Sequence, residues 1–238
     1  MKLGIIVFCT GKYRIFLDKY ITTCEEKFLP NMHKTYFIFT EDTVKFDSNI
    51  SYKHIPFKKL GWPLDTLKKY AVSNQYQHMF EDMDYILLSN ANMIYNEVVH
   101  EDEVLPTEQD NWLASVDHPN HFDKTDYHNF PYEGNPASTA YVAPEDRKKY
   151  LQACFVLGRK KEFFELSKFV EEQSEIDLQN NLIGVFWDES YVNKYWLNIT
   201  PKILSPAYAY PELYNIPFSK KIVQLEKGLY GGHSYLRS

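Results

Sequence analysis

The chain has 238 residues, a formal net charge of −6 and 44 % hydrophobic residues, enough for one domain with a sizeable core or for two small ones. The excess of acidic residues excludes a protein that binds nucleic acid or another polyanion, since such a protein needs a basic face. The three cysteines are odd in number and lack C-x-x-C spacing, so we expect neither a disulfide framework nor a zinc site, and a cytoplasmic location.

The first half of the chain alternates predicted strands and helices. Leu3–Phe8 is an apolar run rich in β-branched residues, typical of a buried parallel strand and far too short to span a membrane. The other elements predicted here are helices at Phe16–Phe28 and Leu64–Met79, and strands at Thr35–Thr40, Ile50–Ile55, Tyr85–Leu88 and Trp112–Val116. This alternation predicts an α/β fold with a mostly parallel sheet, which binds ligands at the carboxyl ends of its strands.

The second half begins with a long polar stretch, Asp117–Pro144, which is rich in His, Asn and Pro. It lacks the composition of a linker, and we interpret it as a functional loop. A short apolar strand is predicted at Phe155–Leu157 and an amphipathic helix at Lys160–Asp177. The segment after Val223 contains glycines and basic residues, so we expect it to be mobile until something orders it.

Two motifs carry most of the functional signal. W-D-E-S-Y-V-N-K-Y at Trp187–Tyr195 places the adjacent carboxylates Asp188 and Glu189 at the start of a predicted amphipathic helix. Taken alone, such a pair is usual at a helix N-terminus, where unpaired N–H groups and the helix dipole favour negative charge. L-L-S-N-A-N-M at Leu87–Met93 follows a predicted strand directly, and an Asn-rich turn is its simplest interpretation in isolation.

Together with K-I-L-S-P at Lys202–Pro206, these motifs resemble glycosyltransferase family 6, the retaining enzymes that build the blood-group A and B antigens and the α-galactosyl epitope. The resemblance spans nearly the whole chain. Further matching segments are V-F-C-T-G-K-Y (Val7–Tyr13), Trp62 with P-L-D-T-L-K-K, N-P-A-S-T-A-Y-V-A-P (Asn135–Pro144) and L-Q-A-C-F-V-L-G (Leu151–Gly158).

The resemblance implies a GT-A-like single domain over residues 1–238, with a mostly parallel central sheet flanked by helices. Residues 1–95 would form a nucleotide-sugar-binding half and residues 96–222 an acceptor-binding and catalytic half. Residues 223–238 would form a mobile basic tail. The partners implied are a UDP-sugar donor and an oligosaccharide acceptor.

The resemblance also assigns roles to residues. Glu189 would be catalytic, facing the anomeric carbon opposite the leaving diphosphate as a nucleophile or as a stabilising carboxylate. The donor-binding positions implied are Phe8, Thr10, Tyr13, Trp62, Lys69, Asn90, Asn92, Cys154, Asp188, Lys227 and Arg237. For the acceptor we expect Trp187 and Gln152, joined by His118 and His121 from the polar loop.

The chain departs from the family pattern at three places. Asn90 and Asn92 replace the two aspartates of the D-x-D motif, which hold Mg²⁺ or Mn²⁺ in animal members. We therefore predict no metal cofactor, with protein cations stabilising the diphosphate instead: Lys69, Lys227, His233 and Arg237. Trp187 stands in place of a histidine. Gln152 and Cys154 occupy the specificity strand, where the family has other residues.

The short chain and its Asn-x-Asn motif resemble the soluble bacterial members of the family, which favours N-acetylgalactosamine as the sugar. The predicted reaction is its transfer from UDP-N-acetylgalactosamine (UDP-GalNAc), in α-1,3 linkage and without divalent metal, to a fucosylated galactose. UDP-galactose is the alternative donor. A metal-assisted hydrolase built on Asp117–His128 has no supporting metal-ligand spacing. A non-catalytic carbohydrate-binding protein would use the many aromatic residues, but it would not need the Asp188–Glu189 pair.

Overall fold

Ten strands form two sheets in the computed structural model, which describes residues 1–238. In chain order the strands are β1 (Lys2–Phe8), β2 (His33–Thr40), β3 (Tyr52–Pro56), β4 (Tyr85–Asn90), β5 (Met93–Tyr95), β6 (Leu113–Asp117), β7 (Leu151–Arg159), β8 (Lys202–Leu204), β9 (Tyr210–Pro211) and β10 (Ile222–Gln224). The large sheet has the strand order β3-β2-β1-β4-β7-β6-β8, and the small sheet has the order β5-β10-β9.

Most strand pairs of the large sheet are parallel. β1 pairs in parallel with β2 and β4, and so do β2 with β3 and β6 with β8. Only β7 runs antiparallel to its neighbours, β4 and β6. The predicted fold class, α/β and GT-A-like with a mostly parallel central sheet, is confirmed.

The helices flank this sheet on both faces. They are α1 (Leu17–Lys27), α2 (Leu64–Leu67), α3 (Lys69–Gln75), α4 (Glu101–Val104), α5 (Lys160–Gln179), α6 (Asp188–Tyr195) and α7 (Gly232–Leu236). Side chains of α1 pack on one face of the sheet, and those of α3, α5 and α6 pack on the other. None of these helices combines the length and apolar character needed to cross a membrane.

Strand β1 lies in the middle of the sheet and is buried on both faces. Its residues Ile5 and Val7 contribute to the core on the α1 side, whereas Ile6 contributes to the core on the α5 side. Alternate residues of a strand point to opposite faces, so a strand covered on both sides needs apolar residues throughout. This explains why the first strand is a continuous apolar run.

Three predicted elements differ in extent from the observed ones. The single helix expected at Leu64–Met79 is divided into α2, α3 and a 3₁₀ turn at Gln77–Phe80, because Lys68 leaves the helical conformation with φ −87° and ψ 0°. The strand expected at Phe155–Leu157 is the nine-residue β7. The helix expected from Phe16 begins as a 3₁₀ turn at Gly11–Phe16. The small sheet was not predicted, since its strands are only two or three residues long.

The basic tail is folded against the body of the protein. A 3₁₀ turn at Lys227–Tyr230 leads through Gly231 into α7, where Leu236 is fully buried. The tail thereby lies beside the 3₁₀ turn that follows β1, since a Cβ added to Gly11 would lie 3.2 Å from the backbone oxygen of Ser238. Mobility of residues 223–238 stays a prediction.

The carboxyl ends of β1 and β4 meet at one edge of the sheet. Phe8, the last residue of β1, is paired with Asn90, the last residue of β4. The antiparallel strand β7 begins beyond this edge, because its Phe155 pairs with Ser89 and the residues before Phe155 extend past the end of β4. The edge therefore gathers residues from three distant parts of the sequence.

Candidate active site

A cavity at this edge brings together every residue predicted to bind the donor. Its lining also contains Glu189, Trp187 and Gln152 from the predicted catalytic and acceptor positions. The predicted donor residues that line it are Phe8, Thr10, Tyr13, Trp62, Lys69, Asn90, Asn92, Cys154, Asp188, Lys227 and Arg237. The sequence therefore predicts which residues line the cavity, while the role of each residue is still a prediction.

Glu189 lies in the first turn of α6 and is held by the neighbouring strand. Its Oε2 accepts a hydrogen bond of 2.9 Å from the backbone N–H of Ala153 in β7. Burial raises the pKa of Glu189 to about 7, and the negative charge of Asp188 adds to this effect. The Ala153 N–H acts in the opposite direction by bonding to the carboxylate.

Asp188 is paired with Lys69 in the interior of the site. Its Oδ2 lies 2.9 Å from Lys69 Nζ, and both side chains are buried. Lys69 Nζ also donates to the Oδ1 of Asn90 at 3.5 Å. Burial raises the pKa of Asp188, and the Lys69 charge partly offsets this increase. The pair connects α6 to α3 and keeps a cation beside the end of β4.

Asn90 and Asn92 are a poor donor set for a divalent cation. Both amides are neutral, and Asn90 Oδ1 faces the Lys69 ammonium. The Asn92 side chain is buried and donates 2.8 Å from its Nδ2 to the carbonyl of Leu225, so it anchors the segment that leads into the tail. Hard cations prefer charged oxygen ligands, and no group of three or more His, Cys, Asp or Glu side chains converges anywhere in the protein. Asn90 and Asn92 thus offer a divalent cation no charged oxygen ligand, and independence of metal stays a prediction.

Two cations of the tail face the same cavity. The Lys227 Nζ lies 5.5 Å from the centre of the Tyr13 ring, and the Arg237 guanidinium lies 3.3 Å from the centre of the Trp62 ring. Burial, together with repulsion from Lys69 and Arg237, lowers the pKa of Lys227 to about 8. Positive charges crowded in this way favour binding of an anion, which would relieve the repulsion.

Trp187 lines the same cavity and has an unusual backbone conformation. Its φ is +53° with ψ −125°, a region that residues other than glycine rarely adopt. The Trp187 ring meets the Trp62 ring edge to face, with the ring centres 4.1 Å apart. The two tryptophans form an aromatic surface of the kind that stacks on the apolar face of a sugar.

Gln152 and Cys154 form the floor of the cavity on β7. The thiol of Cys154 donates to the Oε1 of Gln152 at 3.1 Å, and both side chains are buried. Burial raises the pKa of Cys154 to about 12, so the thiol is neutral. The pairing of β6 with β7 shifts between Ser115 and Val116, beside Gln152. Such a bulge re-aims the side chains near a site.

His118 and His121 are the two predicted site residues that the structure does not bring to the cavity. Their ring centres lie 4.8 Å apart in a tilted arrangement, and the His121 ring stacks on Phe130 at 4.9 Å. The ring of Tyr150 lies against both histidines. Burial lowers the pKa of His118 to about 3, so this ring is neutral. A role of these histidines in acceptor binding stays a prediction.

Some functional groups could not be recognised from the sequence. The Ala153 donor is a backbone N–H, which carries no residue signature. Tyr150 is fully buried, and only the complete fold brings its ring near the Glu189 carboxylate. Asn193 is spaced one helical turn after Glu189, and its side chain bonds to both backbone groups of Leu151 and so fastens α6 to β7. The spacing of Asn193 from Glu189 was the one signal in the sequence that could have identified any of these groups.

Comparison with known proteins gives a consistent family. A family model described as Glycosyltransferase family 6 matches residues 1–230. The O-antigen biosynthesis glycosyltransferase WbnI of Escherichia coli is 30 % identical over 228 residues, which cover 95 % of each chain. The globoside alpha-1,3-N-acetylgalactosaminyltransferase 1 of Homo sapiens is 22 % identical over 233 residues, covering 94 % of this chain and 65 % of that protein. The histo-blood group ABO system transferase 2 of Rattus norvegicus is 26 % identical over 219 residues, covering 88 % of this chain and 64 % of that protein.

Proposed function

This chain belongs to glycosyltransferase family 6, and on that premise we propose that it transfers N-acetylgalactosamine from UDP-GalNAc to a galactose acceptor. The proposed linkage is α-1,3, the anomeric configuration is retained, and the acceptor galactose carries a fucose. The observation that carries the proposal is one cavity in which Glu189 faces a group of protein cations, Lys69, Lys227 and Arg237. A sugar that bears a diphosphate has the matching charge distribution.

In the proposed mechanism the cations hold the diphosphate while the carboxylates act on the sugar. Negative charge develops on the UDP leaving group as the bond to the anomeric carbon breaks, and fixed cations stabilise it. Glu189 acts on the opposite face of that carbon, as a nucleophile or as a carboxylate that stabilises positive charge on the ring. Asp188, held by Lys69 at 2.9 Å, orients the donor hydroxyls. Trp187 packs on the acceptor galactose.

Metal independence is part of the proposal. It is supported by the chemistry of the two residues at the D-x-D position, since the Asn90 amide faces Lys69 and the Asn92 amide bonds to Leu225. Lys69 therefore supplies positive charge beside the end of β4, where a cation bound to carboxylates would otherwise supply it. Lys227 and Arg237 add the charge needed to stabilise a diphosphate.

The choice of sugar and acceptor rests on the relatives and on the residues that line the cavity. The human relative is named for transfer of N-acetylgalactosamine in α-1,3 linkage to globoside, and the same sugar is proposed for this chain. Gln152 and Cys154 both line the cavity, where Cys154 would lie near the substituent at carbon 2 of the donor sugar and Gln152 would contact the acceptor. A fucosylated galactose is proposed because the family includes blood-group transferases.

Product analysis tests this proposal. The protein is incubated with 2'-fucosyllactose and either UDP-GalNAc or UDP-galactose, and the product is examined by mass spectrometry and proton NMR. We expect a mass increase of one N-acetylhexosamine and the small anomeric coupling constant of an α-linkage. A product with a β-linkage would contradict retention, and transfer of galactose alone would contradict the proposed donor. Binding of the glycan without any product would favour a carbohydrate-binding protein instead.

A further inference from the structure

The loop of residues 180–187, between α5 and α6, exposes apolar side chains on a fixed backbone. Ile183, Val185 and Phe186 are 40 %, 50 % and 37 % exposed. The four backbone N–H groups of residues 184–187 nevertheless all have partners, at distances of 2.7 to 3.0 Å. A loop that is rigid and yet apolar on its exposed side is typical of a binding surface.

Three of these four partners are side chains from outside the loop. The Gly184 N–H donates to the hydroxyl of Tyr191 at 3.0 Å, and the Val185 N–H donates to Glu133 Oε2 at 2.7 Å. The Phe186 N–H donates to Ser190 Oγ at 2.9 Å. Gly184 also lies directly on α6, since a Cβ added to it would be 2.8 Å from the Cβ of Ser190.

Behind these contacts lies Asp177 of α5, a fully buried carboxylate. Its Oδ2 accepts hydrogen bonds from Ser138 Oγ at 2.5 Å and from the Tyr191 hydroxyl at 2.9 Å, and its Oδ1 accepts one from the Thr139 N–H at 2.8 Å. Asp177 orients the Tyr191 hydroxyl, which in turn fixes Gly184. Glu133 is also buried and accepts a second bond of 2.7 Å from the Asn135 N–H.

Neither Asp177 nor Glu133 belongs to an ion pair. A buried carboxylate without a cation is costly, and it is retained only where enough hydrogen-bond donors surround it. The strained φ of +53° at Trp187 likewise persists only where neighbouring contacts determine it. Two costly carboxylates and one strained residue thus converge on the same short loop.

We infer that Tyr191 and Glu133 are positioning residues that preform the acceptor side of the cavity. They hold residues 184–187 before the acceptor arrives, and thereby fix the Trp187 ring against Trp62. The inference rests on the proposed function, because it assumes that Trp187 contacts the acceptor. The donor cations Lys69, Lys227 and Arg237 belong to α3 and to the tail and form no hydrogen bond with residues 184–187, so we expect the loop contacts to affect the acceptor more than the diphosphate.

The test separates acceptor binding from donor binding. In Tyr191→Phe and in Glu133→Gln we expect the KM for the acceptor to rise about tenfold, the effect of losing one buried hydrogen bond that orders the loop. We expect the KM for the UDP-sugar to change less than about twofold. Tyr20→Phe is the matched control, because it removes another buried tyrosine hydroxyl, which bonds to the Tyr95 hydroxyl at 3.2 Å on the α1 side of the sheet and does not touch residues 184–187, and its acceptor KM should stay near that of the wild type.

Thermal unfolding and UDP binding show whether each variant is folded, and Glu133→Gln carries the test if Tyr191→Phe is not. An unchanged acceptor KM in a folded variant, or an equal increase for donor and acceptor, would overturn the inference. The Kd of the acceptor is measured by calorimetry in parallel. A wild-type protein that binds the acceptor without transferring sugar would overturn the proposed function, while the same Kd comparison among the variants would still decide the role of Tyr191 and Glu133.

Discussion

Glu189 must be ionised to act on an anomeric carbon, and its surroundings oppose ionisation. Burial and the nearby charge of Asp188 raise its pKa to about 7, against the hydrogen bond from Ala153. The pKa of Lys227 is shifted in the opposite direction, because burial and the neighbouring cations lower it to about 8. The proposed catalytic carboxylate and one cation of the proposed diphosphate site therefore titrate near neutral pH.

These two shifts predict a narrow, bell-shaped pH profile for kcat/KM. Below pH 7 Glu189 becomes protonated and inactive, and above pH 8 Lys227 loses the charge that binds the diphosphate. Activity should therefore be greatest between these two values, with an acid limb near 7. Initial rates from pH 5.5 to 9.5 measure it. A profile that stays flat from pH 6 to 9 would argue against both assignments.

Replacing the carboxylate tests its role directly. In Glu189→Gln we expect transfer to fall by at least about 100-fold, because the amide is neither a nucleophile nor an anion. UDP affinity should change little, since the proposed diphosphate contacts come from other residues. Initial rates and calorimetric UDP binding provide the two readings. Glu172→Gln, an exposed position on α5, is the matched control, and wild-type-like turnover in Glu189→Gln would remove Glu189 from the mechanism.

The same substitution should stabilise the protein at alkaline pH. The folded protein holds the Glu189 proton up to a pKa of about 7, above the ordinary value of 4.5, so stability falls as the pH rises between these values. Glutamine does not ionise and avoids this loss. We expect the Tm of Glu189→Gln to exceed that of the wild type by several degrees at pH 8 and to match it near pH 5. Equal Tm values at both pH values would mean that the carboxylate is not strained by burial.

At the scale of elements, the basic tail depends on one glycine. Gly231 has φ +92°, and a Cβ there would lie only 2.6 Å from the Cδ1 atom of the Tyr235 ring. This residue sets the direction of α7, which places Arg237 over the Trp62 ring. The geometry of the turn therefore controls one of the cations at the cavity.

Substitution at this turn should weaken donor binding more than it weakens the fold. In Gly231→Ala we expect UDP-sugar affinity to fall about tenfold, since strain at positive φ and the Tyr235 contact would displace Arg237. Calorimetric titration measures the affinity. Gly228→Ala is the control, because its Cβ would meet only the flexible end of Glu226 at 3.3 Å. Unchanged affinity in Gly231→Ala would separate the tail from the donor site.

Some helix and strand boundaries could not be predicted from the sequence. Apolar spacing continues through Leu64–Met79, so it could not reveal that Lys68 interrupts the helix and that Lys69 begins α3. The short strands β5, β9 and β10 are held by long-range pairing and have no periodicity of their own. By contrast, Lys160–Asp177 has a strong amphipathic pattern and was predicted closely, since α5 covers Lys160–Gln179.

At the scale of the whole molecule, an acidic protein concentrates cations at one cavity. The net charge is −6, yet the cavity lining includes Lys59, Lys69, Lys227 and Arg237. The lining also contains Asp65, Asp188 and Glu189, so the four cations outnumber the carboxylates by one, and this small local excess of positive charge favours an anion at the edge of the sheet. A net charge read from composition excludes a large basic face, but it does not describe a site this small.

The fold class and most of the cavity could be predicted, because local patterns and matched motifs carry that information. Leu3–Phe8 predicted a buried parallel strand, and W-D-E-S placed Asp188 and Glu189 at a helix start. The antiparallel direction of β7 and the contact of Val185 with Glu133, 52 residues away, depend on the complete fold. The expected acceptor role of His118 drew on residue type alone, and the structure places it outside the cavity.

Metal independence is tested directly by UDP release from UDP-GalNAc with 2'-fucosyllactose, measured in excess EDTA and again with Mn²⁺. Full activity in EDTA is the predicted result, since Lys69, Lys227 and Arg237 provide the positive charge at the diphosphate. Activity that appears only with Mn²⁺ would contradict the proposal that protein cations stabilise the leaving group in place of a metal.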